Sequence, residues 1–221
     1  MATQPRRKLN MGTIIDRVVE VVSQNAVAGL IFVVVFAGLG ILTDRLADGA
    51  PLRAGLFGII VALATIFGVY LLTQTMLAKA GLQSYRGSPR VLAYLGMGII
   101  AGIGTSLGLI LFIIPGLILM ARWSISGALL VGEGKGVTQS LGESWEATRG
   151  SEMPIILTFV VLVFSFTIVS VVAGLYAPSA GVGATVVSKI AGAVGNALST
   201  ACGVAIYGLL KGGEKVAETF Q

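Results

Sequence analysis

The sequence predicts an all-α fold, a polytopic membrane helical bundle of about six transmembrane helices with two interfacial amphipathic helices beside them. Three observations carry this. Of 221 residues, 55% are hydrophobic and only 11% charged, against about 25% charged in soluble domains. Apolar runs of about 20 residues, the length that crosses about 30 Å of hydrocarbon as a helix, recur along the chain. The basic residues fall between those runs with a strong bias to alternate connections.

Residues 1–12 form a polar, basic tail carrying Arg6, Arg7 and Lys8. The next stretch sets Ile14, Ile15, Val18, Val19 and Val22 on one helical face and Asp16, Arg17, Glu20 and Gln24 on the other. With Thr13 and Asp16 spaced as in a capping box, it predicts an amphipathic helix over 13–24, lying in the interface or extending the first span. The single membrane domain covers 13–211, with spans at 27–43, 54–77, 91–114, 117–132, 154–176 and 184–210. A cytoplasmic tail, 212–221, follows. Pro115-Gly116 between the third and fourth spans makes either a tight hairpin, the preferred reading, or a kink in one long helix. Residues 81–90 read as a plain connection. Over 138–149, Val137, Leu141 and Trp145 recur at helical spacing while Glu143, Glu146 and Arg149 face elsewhere, which predicts a second interfacial helix with Trp145 as its headgroup-level anchor.

Charge sets the expected orientation. With six spans and an inside N-terminus, Arg6, Arg7, Lys8, Arg17, Lys79, Arg86, Arg90, Lys135, Arg149, Lys211 and Lys215 lie inside, and Arg45 and Arg53 outside. Both termini are therefore expected in the cytoplasm. This distribution also makes nucleic acid an unsuitable partner despite the net charge of +5.

Histidine is absent and Cys202 is the only cysteine, so a His- or Cys-based metal cluster has no ligands, and no cofactor is expected. The ten acids lie in polar segments, and no base stands near a serine to activate it, so no catalytic residue is assigned. Glu133, Glu143, Glu146 and Glu152 read as a solvated face. Candidates for recognition remain. Arg122 lies inside the fourth span, about six residues or roughly 9 Å from the proline turn. An intramembrane charge is costly. It either snorkels or caps carbonyls freed by the turn, or it binds a lipid headgroup or other anion, with no acid in any apolar run to pair with it. Lys189 reads as snorkelling. Small residues stripe the third span (Gly98, Gly102, Gly104, Gly108) and the sixth (Ser188, Gly192, Asn196, Ser199, Gly203). They suit packing within the monomer first, then a dimerisation face, then a pathway lining, and Asn196 suits a helix–helix hydrogen bond.

Several segments together resemble the membrane domain attached to some bacterial glycerophosphodiester phosphodiesterases and the uncharacterised YciC-type inner-membrane proteins. They are Leu111 to Leu117 with Arg122 after it, then Ser140, Ser144-Trp145 and Thr148-Arg149-Gly150, and finally Ala205 to Leu210 around Tyr207. The resemblance implies a six-helix module of the bacterial cytoplasmic (inner) membrane with no known activity of its own, since the catalytic barrel of those enzymes is missing from this sequence. The expected function is non-enzymatic, binding membrane lipids or a membrane-protein partner, with homo-oligomers through the glycine stripes. The competing expectation is a small transporter or channel for an anionic or amphipathic solute near Arg122.

Overall fold

The computed structural model describes residues 9–46 and 51–219, with the side chains of 51, 178, 180 and 212–219 left aside. Arg6, Arg7, Lys8 and Asp48 lie outside the described residues. The elements are α1 (Met11–Gln24), α2 (Ala26–Leu46), α3 (Pro51–Lys79), α4 (Val91–Leu111), α5 (Ile113–Trp123), α6 (Ser126–Glu133), α7 (Val137–Ala147), α8 (Glu152–Phe159), a π-helical turn (Val160–Phe164), α9 (Ser165–Ala180) and α10 (Val182–Thr219). Six helical stretches are long and apolar enough to cross a bilayer: Ala26–Leu46, Leu52–Lys79, Val91–Leu111, Ile113–Glu133, Glu152–Ala177 and Val182–Lys211. The chain is thus an all-α polytopic membrane bundle. Large side chains such as Leu30, Ile59, Ile103 and Ile168 stand exposed on its outer faces, where hydrocarbon is their natural solvent.

The amphipathic helix begins at Met11, two residues before the expected start, because Asn10 caps it by accepting from the Gly12 amide at 3.0 Å. Its buried face is Ile14, Val18 and Val21, packed mainly against α10, so much of the expected interfacial surface is covered by protein. Val19 stays exposed.

The Pro115-Gly116 region is a hairpin, but its break lies earlier, at Phe112, which is extended (φ −155°, ψ 124°). The proline explains the shift. Its ring would strike the carbonyl four residues back, that of Leu111, so α4 must end there, while Pro115 itself fits the first turn of α5. The antiparallel legs meet where a Cβ on Gly108 would come within 2.9 Å of Gly116 Cα, and one on Gly104 within 2.7 Å of the Trp123 ring.

A second break was not expected. The fourth span divides at Ser124–Ile125, where Ser124 Oγ donates to Ala121 O and Ser126 Oγ to Trp123 O, both at 2.8 Å, offering the backbone local alternatives to the helix ladder. Gly203 of α10 lies so close that a Cβ there would sit 2.8 Å from Ser124 O. α10 forms the spine, packing on α1, α2, α3, α6 and α9, whereas α4 lies chiefly against α5. It also continues as helix through 212–219, the expected tail.

Candidate functional site

Arg122 lies in the last turn of α5, and the chain returns around it through α7 and into α8. Its Nη2 pairs with Glu152 Oε1 at 2.5 Å. Its Nη1 donates to Trp145 O at 2.8 Å, and the guanidinium lies 5.0 Å from the Trp145 ring centre. The Arg122 carbonyl accepts from Ser144 Oγ at 2.6 Å and from Thr148 Oγ1 at 3.3 Å. Arg122 therefore has the acidic partner that the sequence left it without, supplied from 30 residues downstream, and its charge is cancelled inside the fold. The segments quoted for the family resemblance, Ser144-Trp145 and Thr148-Arg149-Gly150, converge here. The buried stripe of α7 is Ser140, Leu141 and Ser144, continued by Thr148 at its C-cap, and the Ser144 and Thr148 hydroxyls hold this helix to α5. Trp145 is partly exposed and also tilts against Trp123 at 6.5 Å. The Arg122 Nε and Ser140 Oγ atoms are buried without a hydrogen-bond partner.

A second polar knot ties α6, α7 and α10. Glu133 accepts from Tyr207 Oη and pairs with Lys135 and Lys211, each at 2.6 Å, and Lys135 also pairs with Glu143. Burial pushes the Lys135 ammonium down, and its hydrogen bonds to Glu133 and Glu143 outweigh that and raise its pKa overall. The acids are thus not one solvated face: Glu133 and Glu152 are paired in the structure, and Glu143 and Glu146 are the more exposed pair. Lys189 pairs with Asp44 at 3.0 Å.

The small-residue stripes divide by environment. Gly104 and Gly108 are packed, whereas a Cβ on Gly98 or Gly102 would meet nothing within 4 Å. In α10, Ser188 and Ser170 of α9 exchange hydroxyl-to-carbonyl bonds of 2.8 Å, and Gly192 lies beside Ser170 Oγ. Among the described residues Asn196 makes no bond to another helix; its Nδ2 donates to Gly192 O in its own helix at 3.1 Å.

Gly102, Asn196, Ser199 and Gly203 line a mid-bundle cavity of about 370 Å³ between α3, α4, α5–α6 and α10. Thr73, Tyr94, Thr105, Ser124, Ser126 and Thr200 complete its polar wall, and no charged residue, Arg122 included, lines it. Thr73 and Thr200 spend their hydroxyl protons on carbonyls one turn back in their own helices, and Ser124 and Ser126 spend theirs on carbonyls at the end of α5. The oxygens of Ser124, Ser126 and Thr200 are left as acceptors, so the cavity suits a neutral guest that donates hydrogen bonds. Phe159, just before the π turn, lines it too. Hydroxyls at this depth carry no sequence signal that separates cavity lining from ordinary back-bonding. No family model, curated protein or solved structure matches the chain.

Proposed function

We propose that this chain is a non-enzymatic integral protein of a bacterial cytoplasmic membrane, with both termini in the cytoplasm, that binds a neutral amphipathic molecule within the bilayer. A membrane lipid whose headgroup carries hydroxyls is the fitting class. The observation that carries the reading is the uncharged, acceptor-rich cavity of about 370 Å³ inside a bundle with apolar outer faces. Cavities of this size hold small ligands by a mostly apolar wall and a few placed polar groups. The α4–α5 hairpin lies apart from α9 and α10 over much of its length, which leaves a lateral approach from the membrane. The resemblance to the phosphodiesterase-associated membrane module accords with a binding rather than a catalytic role, and the open glycine Gly98 would let a second copy or a membrane partner pack on α4.

Native mass spectrometry of the protein extracted in its own lipid tests this. Diacylglycerol-like or other neutral hydroxylated lipid should be retained, and Ser199→Leu, which fills the cavity, should reduce retention about tenfold or more. Unchanged retention in Ser199→Leu would overturn the reading.

One observation favours passage over simple binding. Asn196 borders both this cavity and a second one of about 220 Å³ lined by Thr65, Ser188 and Lys189. On that reading a small polyol should cross reconstituted vesicles and Asn196→Leu should stop it.

A further inference from the structure

We propose that residues 80–90, folded against α3 and α6, form a binding site for a phosphate-bearing anion. The loop that reads in sequence as a plain connection encloses a cavity of about 320 Å³ lined by Tyr70, Gln74, Gln83, Tyr85 and Arg86. This site uses different residues from the mid-bundle cavity, so the two proposals stand or fall separately.

The cavity is built rather than incidental. The Ser84 and Tyr85 amides donate to Gly132 O at 2.9 and 2.8 Å, and Ser84 Oγ donates to the same carbonyl at 3.0 Å. The Arg90 amide donates to Tyr70 Oη at 3.1 Å, and the Arg90 guanidinium bonds Gly134 O and lies 5.7 Å from the Tyr85 ring centre. Two left-handed glycines shape the frame. Gly81 (φ +67°) closes α3 with Leu82 N bonded to Leu77 O, and Gly134 (φ +68°) closes α6.

Its charge is uncompensated. Residues 49–132 contain no Asp or Glu, and among the described residues Arg86 makes no ion pair. Arg90 has only a carbonyl and a ring as partners. The acid next along α6, Glu133, is engaged by Lys135, Lys211 and Tyr207. Arg17, Arg122, Lys135, Arg149, Lys189 and Lys211 each pair with a carboxylate, whereas among the described residues Arg86 and Arg90 have none. Arg86 brings a planar fork of donors, Gln74 and Gln83 bring amides, and Tyr70 Oη, which accepts from Arg90, keeps its own proton to donate. That donor set suits phosphate oxygens. The strongly exposed Leu92 and the exposed Leu71 flank the loop, so acyl chains could run along α3 and α4 while a headgroup fills the cavity. A free phosphate would use the same donors.

The full chain, delipidated in uncharged detergent, separates the two sources. One probe is phosphatidylglycerol against phosphatidylcholine, read by native mass spectrometry; the other is inorganic phosphate against chloride, read by thermal unfolding. A lipid site retains phosphatidylglycerol about tenfold over phosphatidylcholine, and a free-anion site shows stabilisation by phosphate. In either case the preference disappears in Arg86→Gln, is partly kept in Arg86→Lys, and survives in Arg53→Gln, an exposed arginine in the first turn of α3, at the end of that helix far from residues 80–90. Neither probe distinguishing wild type from Arg86→Gln, or Arg53→Gln losing the preference equally, would overturn the proposal.

Discussion

The mid-bundle cavity and the cavity under residues 80–90 share helix α3 yet are built from opposite chemistry. Val69 and Thr73 face the first, and Tyr70, Gln74 and Ala78 face the second. Between them the Tyr94 ring, lining the first, meets the Tyr70 ring, lining the second, edge to face at 5.6 Å. The first is uncharged and rich in acceptors, and the second is basic and rich in donors. The difference follows from where carboxylates reach the bundle. Glu152 pairs with Arg122, and Glu133 and Glu143 pair with Lys135 and Lys211, so these charges are spent on holding helices together. No acid approaches Arg86, and its charge remains available.

The largest expected effect sharpens that contrast. Glu152→Ala leaves Arg122 half-paired in a site where the two side chains are only 12% and 23% exposed. Removing one partner of such a pair should cost about 2–3 kcal/mol of stability, less than a fully buried pair because of that residual exposure. Denaturant unfolding should show this loss. Because Arg122 anchors the α5 wall, retention of the neutral lipid should fall with stability while the Arg86 site keeps its phosphate preference. Equal damage to both sites would mean that they are not independent.

A smaller effect separates the glycines. Gly108→Ala drives a Cβ toward Gly116 at 2.9 Å, a backbone contact that cannot rotate away, so the hairpin should lose about 1–3 kcal/mol. Gly98→Ala meets open space and should be neutral or stabilising by less than about 1 kcal/mol, as helix propensity favours alanine. Thermal unfolding of both variants checks the pair.

The smallest effect concerns pH. Lys135 has a raised pKa because its bonds to Glu133 and Glu143 outweigh its burial. Its stabilising contribution is fully present below the ordinary lysine value of 10.5 and is lost only as pH rises through the higher folded value. Stability should therefore be insensitive to this group from neutral pH to about 9 and decline above the ordinary lysine range. An alkaline titration followed by circular dichroism reads it, and a decline from this cluster near neutral pH in Lys135-containing protein but not in Lys135→Gln would contradict the assignment.

Much of the fold was legible because span length and apolarity are local properties. All six spans fall within a few residues of their expected positions, and the hairpin missed by only the reach of one proline ring. What escaped the sequence was tertiary. Gly98 and Gly108 look alike in a small-residue stripe, but only Gly108 faces a returning backbone. Glu152 reads as a solvated carboxylate until α8 brings it to Arg122. Residues 80–90 look like a connection because the carbonyls that order them, on Gly132 and Gly134, lie more than forty positions away. Asn196 reads as a bridge between helices, yet its amide bonds its own helix and borders two cavities.

Presenting both ligand classes at once tests the independence of the two cavities. Wild type, Ser199→Leu and Arg86→Gln are incubated with an equimolar mixture of diacylglycerol and phosphatidylglycerol, and bound lipid is counted by native mass spectrometry. A double dissociation is expected: Ser199→Leu loses the neutral lipid and keeps the anionic one, and Arg86→Gln does the reverse. Loss of both lipids in each variant, or of neither, would contradict the claim that the two cavities recognise different chemistry.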